Sequence, residues 1–173
     1  IFPGQGSQYV GMGKDLVALF PRARELYEMA DDTLGVPLSR ISFEGDAETL
    51  TATKNAQPAL LLHSVVVARI LREEGGVEPA IAAGHSLGEY SALVAANALD
   101  EMDALKIVRR RGELMFDAGT RQPGTMAAII GLERPDVEAV CLESSRAGEV
   151  VVVANVNSPG QIVISGSAEG VRK

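Results

Sequence analysis

Several things are scarce in this sequence, and each scarcity narrows the reading. There is one cysteine, Cys141, in 173 residues, so no disulfide can form within the chain. Its neighbours Val137 and Val140 put it on the apolar side of a helix, as a buried and inert thiol rather than a nucleophile. Positive charge is short: 16 Lys and Arg stand against 23 Asp and Glu, a net charge of -7 with a pI near 4.9. A nucleic-acid protein would show the opposite balance on one face. No uninterrupted apolar run is long enough to span a bilayer and no signal peptide is visible, so the expected compartment is the cytoplasm, with neither membrane nor nucleic acid as partner. Internal repeats and low-complexity tracts are absent. The opening Ile1-Phe2-Pro3-Gly4-Gln5-Gly6-Ser7-Gln8 reads as the tail of a strand and a Gly-rich loop, but it lacks the Gly-Lys-Ser/Thr ending of a phosphate-binding loop.

What is present is organised around Gly84-His85-Ser86-Leu87-Gly88-Glu89. Pro79 to Ala83 is small and apolar, which suits a short buried strand, and Leu87 to Asn97 suits a helix. Ser86 therefore falls on a strand-to-helix turn of the Gly-x-Ser-x-Gly type, a nucleophile elbow. The flanking glycines are demanded where strand and helix converge, and the helix N-terminus is aimed at a developing oxyanion.

The hydrophobic content, 46%, supports a substantial core. Lys14 to Phe20 predicts a short helix, and Pro21 restarts it. Ala23, Leu26, Tyr27, Ala30 and Leu34 then follow at helical spacing until Gly35. Leu38 to Thr53 reads as irregular and acidic. Pro58 opens a strongly apolar helix reaching about Glu74, with His63 inside it as a core or rim histidine. Asp100 caps a helix running to about Ala118. Its apolar face is Ala104, Ile107, Val108, Leu114, Met115 and Ala118. At about 100° per residue Arg111 falls in the middle of that face, while Arg109 and Arg110 lie off it. A guanidinium there needs an anionic partner or a wet cleft. Periodicity leaves two readings open: an internal ion pair, or an anchor for a substrate carboxylate.

Gly119 to Gly124 is a linker by composition, and the pattern then changes. Thr125 to Gly131 reads as a strand and Pro135 to Arg146 as a helix carrying Val137, Val140, Cys141 and Leu142. Gly148 leads into a strand at Val150 to Ala154. Asn157-Ser158-Pro159-Gly160 is a turn, Gln161 to Ser165 a strand, and Ser167 caps a new helix. This β-α-β-β-α order lacks the last strand of a ferredoxin-like unit. The expected organisation is thus α/β, with one subdomain over residues 1–124 and a smaller one over 125–173. Two residues are few for the opening strand, and the closing helix has only begun, so a piece of a longer protein is expected.

Pro3-Gly4-Gln5-Gly6-Ser7-Gln8, Asn55-Ala56-Gln57-Pro58-Ala59-Leu60, the elbow, Arg111-Gly112 and Asn155-Val156-Asn157-Ser158-Pro159-Gly160-Gln161 occur in order along the chain. Together they make it resemble the N-terminal part of the malonyl-CoA:acyl carrier protein transacylases of bacterial fatty-acid synthesis. The resemblance implies an α/β-hydrolase-like large subdomain with an inserted ferredoxin-like small subdomain, truncated at the C-terminus. It implies ping-pong transfer in which Ser86 takes malonate from malonyl-CoA as an ester and yields it to the phosphopantetheine thiol of acyl carrier protein. It further implies an oxyanion hole from the Gln5 and Leu87 backbone N–H groups, and Arg111 pairing the malonyl carboxylate. No cofactor and no metal are expected, and the parent is expected to be a monomer. The family's general base, a histidine, and a nearby glutamine lie downstream of Lys173, so neither His63 nor His85 is assigned as base. Leu87 beside Ser86 favours malonyl over methylmalonyl, and Lys106, Arg109 and Arg110 offer a basic surface for an acidic carrier. Two other enzyme readings share the elbow: a polyketide-synthase acyltransferase domain, and an α/β-hydrolase-type esterase or thioesterase. A docking piece with a vestigial site is the non-enzyme alternative.

Overall fold

The computed structural model describes residues 1–146 and 149–173. It divides into two compact units, Ile1–Asp117 and Ala118–Lys173. The expected boundary at 124/125 lies farther along, and the first half of the expected linker at Gly119–Gly124 is helix, continuous to Arg121.

The first unit is helical: α1 Lys14–Leu19, α2 Pro21–Leu34, α3 Leu38–Glu44, α4 Ala47–Thr51, α5 Thr53–Glu73, α6 Gly88–Ala95 and α7, which starts at Glu101 and runs on to Arg121. Pro21 starts α2, and Ala23, Leu26, Tyr27 and Ala30 are its buried face, as the spacing requires. The core joins that face to Leu60, Leu61, Leu62, Val65 and Val66 of α5 and to Ala104, Leu105 and Val108 of α7. Burying a side chain of the Leu or Val class contributes about 1.5–3 kcal/mol.

Residues 38–53 are not irregular. They form α3, α4 and the start of α5. The α3 start is capped through space, because the Asp31 carboxylate at the end of α2 accepts from Ser39 N at 2.9 Å and from the Ser39 hydroxyl. Asp46 caps α4, accepting from Thr49 N at 2.7 Å and from the Thr49 hydroxyl at 2.8 Å. Such caps satisfy N–H groups that a short helix otherwise leaves open.

Pro58 does not open α5 either. It lies inside it, after Thr53. A proline within a helix leaves the carbonyl four residues earlier without its donor. That carbonyl belongs to Lys54, and Arg109 Nη1 on α7 donates to it at 3.1 Å.

The expected strand at Pro79–Ala83 does not form. A single parallel bridge joins Phe2 to Gly84, with Phe2 N donating to the Ala83 carbonyl at 2.8 Å and His85 N to the Phe2 carbonyl at 3.2 Å. A parallel strand needs a ladder of partners, and among the described residues only Phe2 supplies one.

The second unit has β1 Thr125–Ile130, α8 Arg134–Arg146, β2 Val151–Ser158, β3 Gln161–Gly166 and α9 Ala168–Arg172. The sheet order is β1-β3-β2, both pairs antiparallel, with Ala127 and Val153 flanking Ile164. Ile162 and Ile164 alternate inward from β3 and pack with Val151 against Val137 and Cys141 of α8. Val140 and Leu142 instead face outward, 50% and 57% exposed. The turn is shorter than expected. Asn157 and Ser158 belong to β2, whose register shifts absorb them, and Pro159-Gly160 alone reverses the chain, with Gly160 at φ 74° as such a turn requires. Gly148, expected to lead into β2, lies outside the described residues. The Ser167 hydroxyl caps α9, accepting from Gly170 N at 3.1 Å.

Candidate active site

Ser86 adopts φ 54°, a left-handed conformation that costs a residue with a side chain about 1–2 kcal/mol. The surrounding backbone holds it there. Gly88 N donates to the His85 carbonyl at 2.9 Å, Glu89 N to the Ser86 carbonyl at 3.2 Å, and Tyr90 N to the Leu87 carbonyl at 3.0 Å. Both glycines are obligatory for contact reasons. A Cβ on Gly84 would lie 1.9 Å from the Gly88 carbonyl, and one on Gly88 would lie 2.4 Å from the Phe2 carbonyl oxygen. The opening loop is therefore pressed against the elbow. Strain maintained in this way at a half-buried serine is a mark of functional turns.

In the loop, the Gln5 side chain donates from Nε2 to the Thr53 hydroxyl at 3.2 Å, and Gly6 N donates to Gln8 Oε1 at 2.8 Å. Among the described residues, neither the Gln5 nor the Leu87 backbone N–H has a backbone acceptor. The Leu87 side chain is 1% exposed and belongs to the core. It offers no surface for choosing between acyl groups, which corrects that expectation.

The internal ion pair left open for Arg111 is not formed: among the described residues no carboxylate lies within ion-pair distance of it. Its guanidinium is held by neutral groups. Nη2 donates to Ser86 Oγ at 3.1 Å, Nη1 donates to Gln57 Oε1, and the Tyr90 ring centroid is 5.9 Å away. Arg111 also lines a shallow depression of about 570 Å³ with Lys106, Ile107, Arg110, Leu114 and Met115. Ile107, Leu114 and Met115, expected on the buried face, are 44%, 52% and 47% exposed.

The proposed basic surface loses one member. Arg109 is engaged internally, with Glu113 at 2.8 Å, the Lys54 carbonyl and Asn55 Oδ1 at 2.9 Å. Its position off the apolar face of α7 turns it toward the N-terminal turns of α5. Lys106 and Arg110 stay exposed, each beside an acidic neighbour, Asp103 and Glu113.

His63 belongs to a separate cavity. It lines a cavity of about 410 Å³ with Phe2, Val67, Arg72, Ile81 and Val94, which Ser86 and Arg111 do not line. Its Nδ1 is buried without a hydrogen-bond partner among the described residues. Burial pushes its pKa below the ordinary value, partly offset by the Asp15 charge. The Cys141 thiol, on the other unit, is pushed up by burial and by Glu138. Among the described residues no cluster of His, Cys, Asp or Glu could hold a metal ion, and no helix is long and apolar enough to cross a membrane.

Two residues escaped the sequence reading: Gln57 and Asn55, both buried at the start of α5. The available signal was two carboxamides next to a proline at the head of an apolar run, since buried polar groups need partners.

Compared with known proteins, residues 1–173 match the family described as acyl transferase domain. The chain is 53% identical over 171 residues to the malonyl CoA-acyl carrier protein transacylase of Bacillus subtilis, covering 99% of this chain and 54% of that protein. It superposes with TM-score 0.90 on the crystal structure of FabD from Acinetobacter baumannii, at 45% identity, covering 99% of this chain and 54% of that one. A type II PKS acyl-carrier protein in complex with its malonyl-transacylase gives TM-score 0.89 at 44% identity, with coverage of 99% and 55%. The chain thus spans about half the length of the curated relatives it matches.

Proposed function

The chain belongs to the acyl transferase domain family, and on that premise we propose that its parent moves a malonyl group from malonyl-CoA to the phosphopantetheine thiol of acyl carrier protein in fatty-acid synthesis. Ser86 Oγ attacks the thioester carbonyl, the carbon–sulfur bond breaks, and coenzyme A leaves as its thiol. The malonyl-Ser86 ester is then attacked by the carrier's thiol, which regenerates Ser86. The Gln5 and Leu87 backbone N–H groups stabilise the oxyanion in both steps. Their lack of backbone acceptors supports the role, and one such donor is typically worth about 100- to 1000-fold in rate. Neither His63 nor His85 is assigned as general base; the family resemblance assigns that role to a histidine downstream of Lys173.

The observation that carries the reading is Arg111. Its guanidinium meets Ser86 Oγ at 3.1 Å with no carboxylate paired to it among the described residues, so a cation waits beside the nucleophile. An acyl group ending in a carboxylate completes the pair bidentately, whereas acetyl leaves it unmatched. Residues 1–124 are read as part of an α/β-hydrolase-like subdomain. Residues 125–173 are read as a ferredoxin-like one, supported by the β1-β3-β2 order. Lys106 and Arg110 are the remaining candidates for docking an acidic carrier. The parent is read as a cytoplasmic monomer without a dedicated cofactor.

The test is the fate of the acyl group. The full-length protein is loaded with radiolabelled malonyl-CoA and given either holo acyl carrier protein or buffer. Label passing to the carrier thiol much faster than to water supports transfer; release to water at the same rate with or without carrier indicates a thioesterase or esterase.

A further inference from the structure

Gln57 has 0% of its surface exposed, in a stretch of α5 that is otherwise almost wholly apolar. A buried carboxamide must satisfy both ends or destabilise its surroundings. Nε2 donates to Met115 Sδ at 3.3 Å, and Oε1 accepts from Arg111 Nη1. A guanidinium has donors only, so the amide can meet it only with its oxygen. Arg111 thus has one nitrogen committed to Gln57 and another to Ser86 Oγ. Two contacts on a planar group fix its orientation. The neighbouring arginine shows the alternative: Arg109 also meets a carboxamide of α5, Asn55, but its charge is matched by Glu113 at 2.8 Å.

We infer that Gln57 is a positioning residue that sets which acyl charge the site accepts. It holds Arg111 by a neutral acceptor, which orients the guanidinium toward Ser86 and leaves its positive charge for the substrate. This rests on the reading of Ser86 as nucleophile and Arg111 as carboxylate anchor. A glutamate at the same position would have nearly the same shape and would satisfy the same nitrogen. It would also neutralise Arg111, so that an incoming carboxylate met a closed ion pair. A neutral acyl group would suffer no such loss. The selection therefore depends on the charge of residue 57 more than on its shape.

The test uses the full-length protein. Rates of Ser86 acylation from malonyl-CoA and from acetyl-CoA are followed by intact mass in the unsubstituted protein, in Gln57→Glu and in Gln57→Leu. In Gln57→Glu the malonyl-to-acetyl ratio of kcat/KM should fall about 100-fold, mainly through KM for malonyl-CoA. Gln57→Leu removes the acceptor without adding charge. It should load both acyl groups more slowly while keeping the ratio within about tenfold of the unsubstituted protein. An unchanged ratio in Gln57→Glu, or equal loss of both acyl groups, overturns the inference. So does a ratio in Gln57→Leu that falls as far as in Gln57→Glu. If the unsubstituted protein takes no acyl group on Ser86, the nucleophile reading itself fails and the inference with it, a result no change in ratio can imitate.

Discussion

Arg109 and Arg111 flank Arg110 on α7, and each reaches a carboxamide on α5, Asn55 and Gln57 respectively. Their surroundings then diverge. Arg109 completes a structural account: Glu113 matches its charge and the Lys54 carbonyl, stranded by Pro58, takes its second nitrogen. Among the described residues Arg111 has neutral partners only, one of them Ser86 Oγ. Residue type, helix and partial burial are shared. What separates a fastener from an anchor is whether the chain itself supplies the anion. A charge kept away from full solvent without a counter-ion is costly, and a site that tolerates that cost is suited to an anionic ligand.

The largest expected effect comes from removing the anchor. Arg111→Ala in the full-length protein should lower kcat/KM for malonyl loading by about 1000-fold, and that for acetyl loading far less. Equal losses would make Arg111 another fastener. Arg109→Ala should do the reverse. It leaves the Lys54 carbonyl and Asn55 Oδ1 without their donor, at about 1–3 kcal/mol for each of two part-buried acceptors, read from urea unfolding, while the malonyl-to-acetyl ratio stays unchanged. A smaller effect sharpens the cause. The Pro58→Ala substitution restores a backbone N–H for the Lys54 carbonyl, so Arg109→Ala should cost about 1 kcal/mol less in that background. Strict additivity in the double-mutant cycle would show that Pro58 and Arg109 are not coupled.

The smallest effect lies away from both arginines. His63 on α5 is held by burial below its ordinary value of 6.5. Its unfolded form takes up a proton as pH falls through that value, while the folded form stays neutral to lower pH. The associated stability is present above 6.5 and declines as pH drops through the folded pKa. His63→Gln should flatten the fall of Tm as pH drops below about 6.5, and an unchanged slope would remove His63 as the cause.

The elbow was legible in the sequence because its requirement is local: only glycine fits where Gly84 meets Gly88 and where Gly88 meets Phe2. The helix carrying Arg111 was legible from its period, although Ile107, Leu114 and Met115 of the face that period marked are exposed. The β-α-β-β-α order was legible because alternation and turn residues are short-range signals. Other features depend on partners distant in sequence. Pro79 to Ala83 has strand-like composition but no described ladder. The helix α3 is capped by Asp31, from the preceding helix. Arg109 read as a surface charge because nothing in its own helix reveals a free carbonyl on α5. Leu87 read as pocket lining because adjacency to Ser86 does not tell which way a side chain turns after a left-handed residue. Gln57 was present within a quoted motif, yet its partner is a residue of another helix.

The most direct measurement is the intact mass of the full-length protein before and after brief exposure to malonyl-CoA, with Ser86→Ala alongside. A malonyl increment on the unsubstituted protein, absent from Ser86→Ala, is the expected result. No increment on the unsubstituted protein, or an increment that survives in Ser86→Ala, would contradict the assignment of Ser86 as the residue that carries the acyl group.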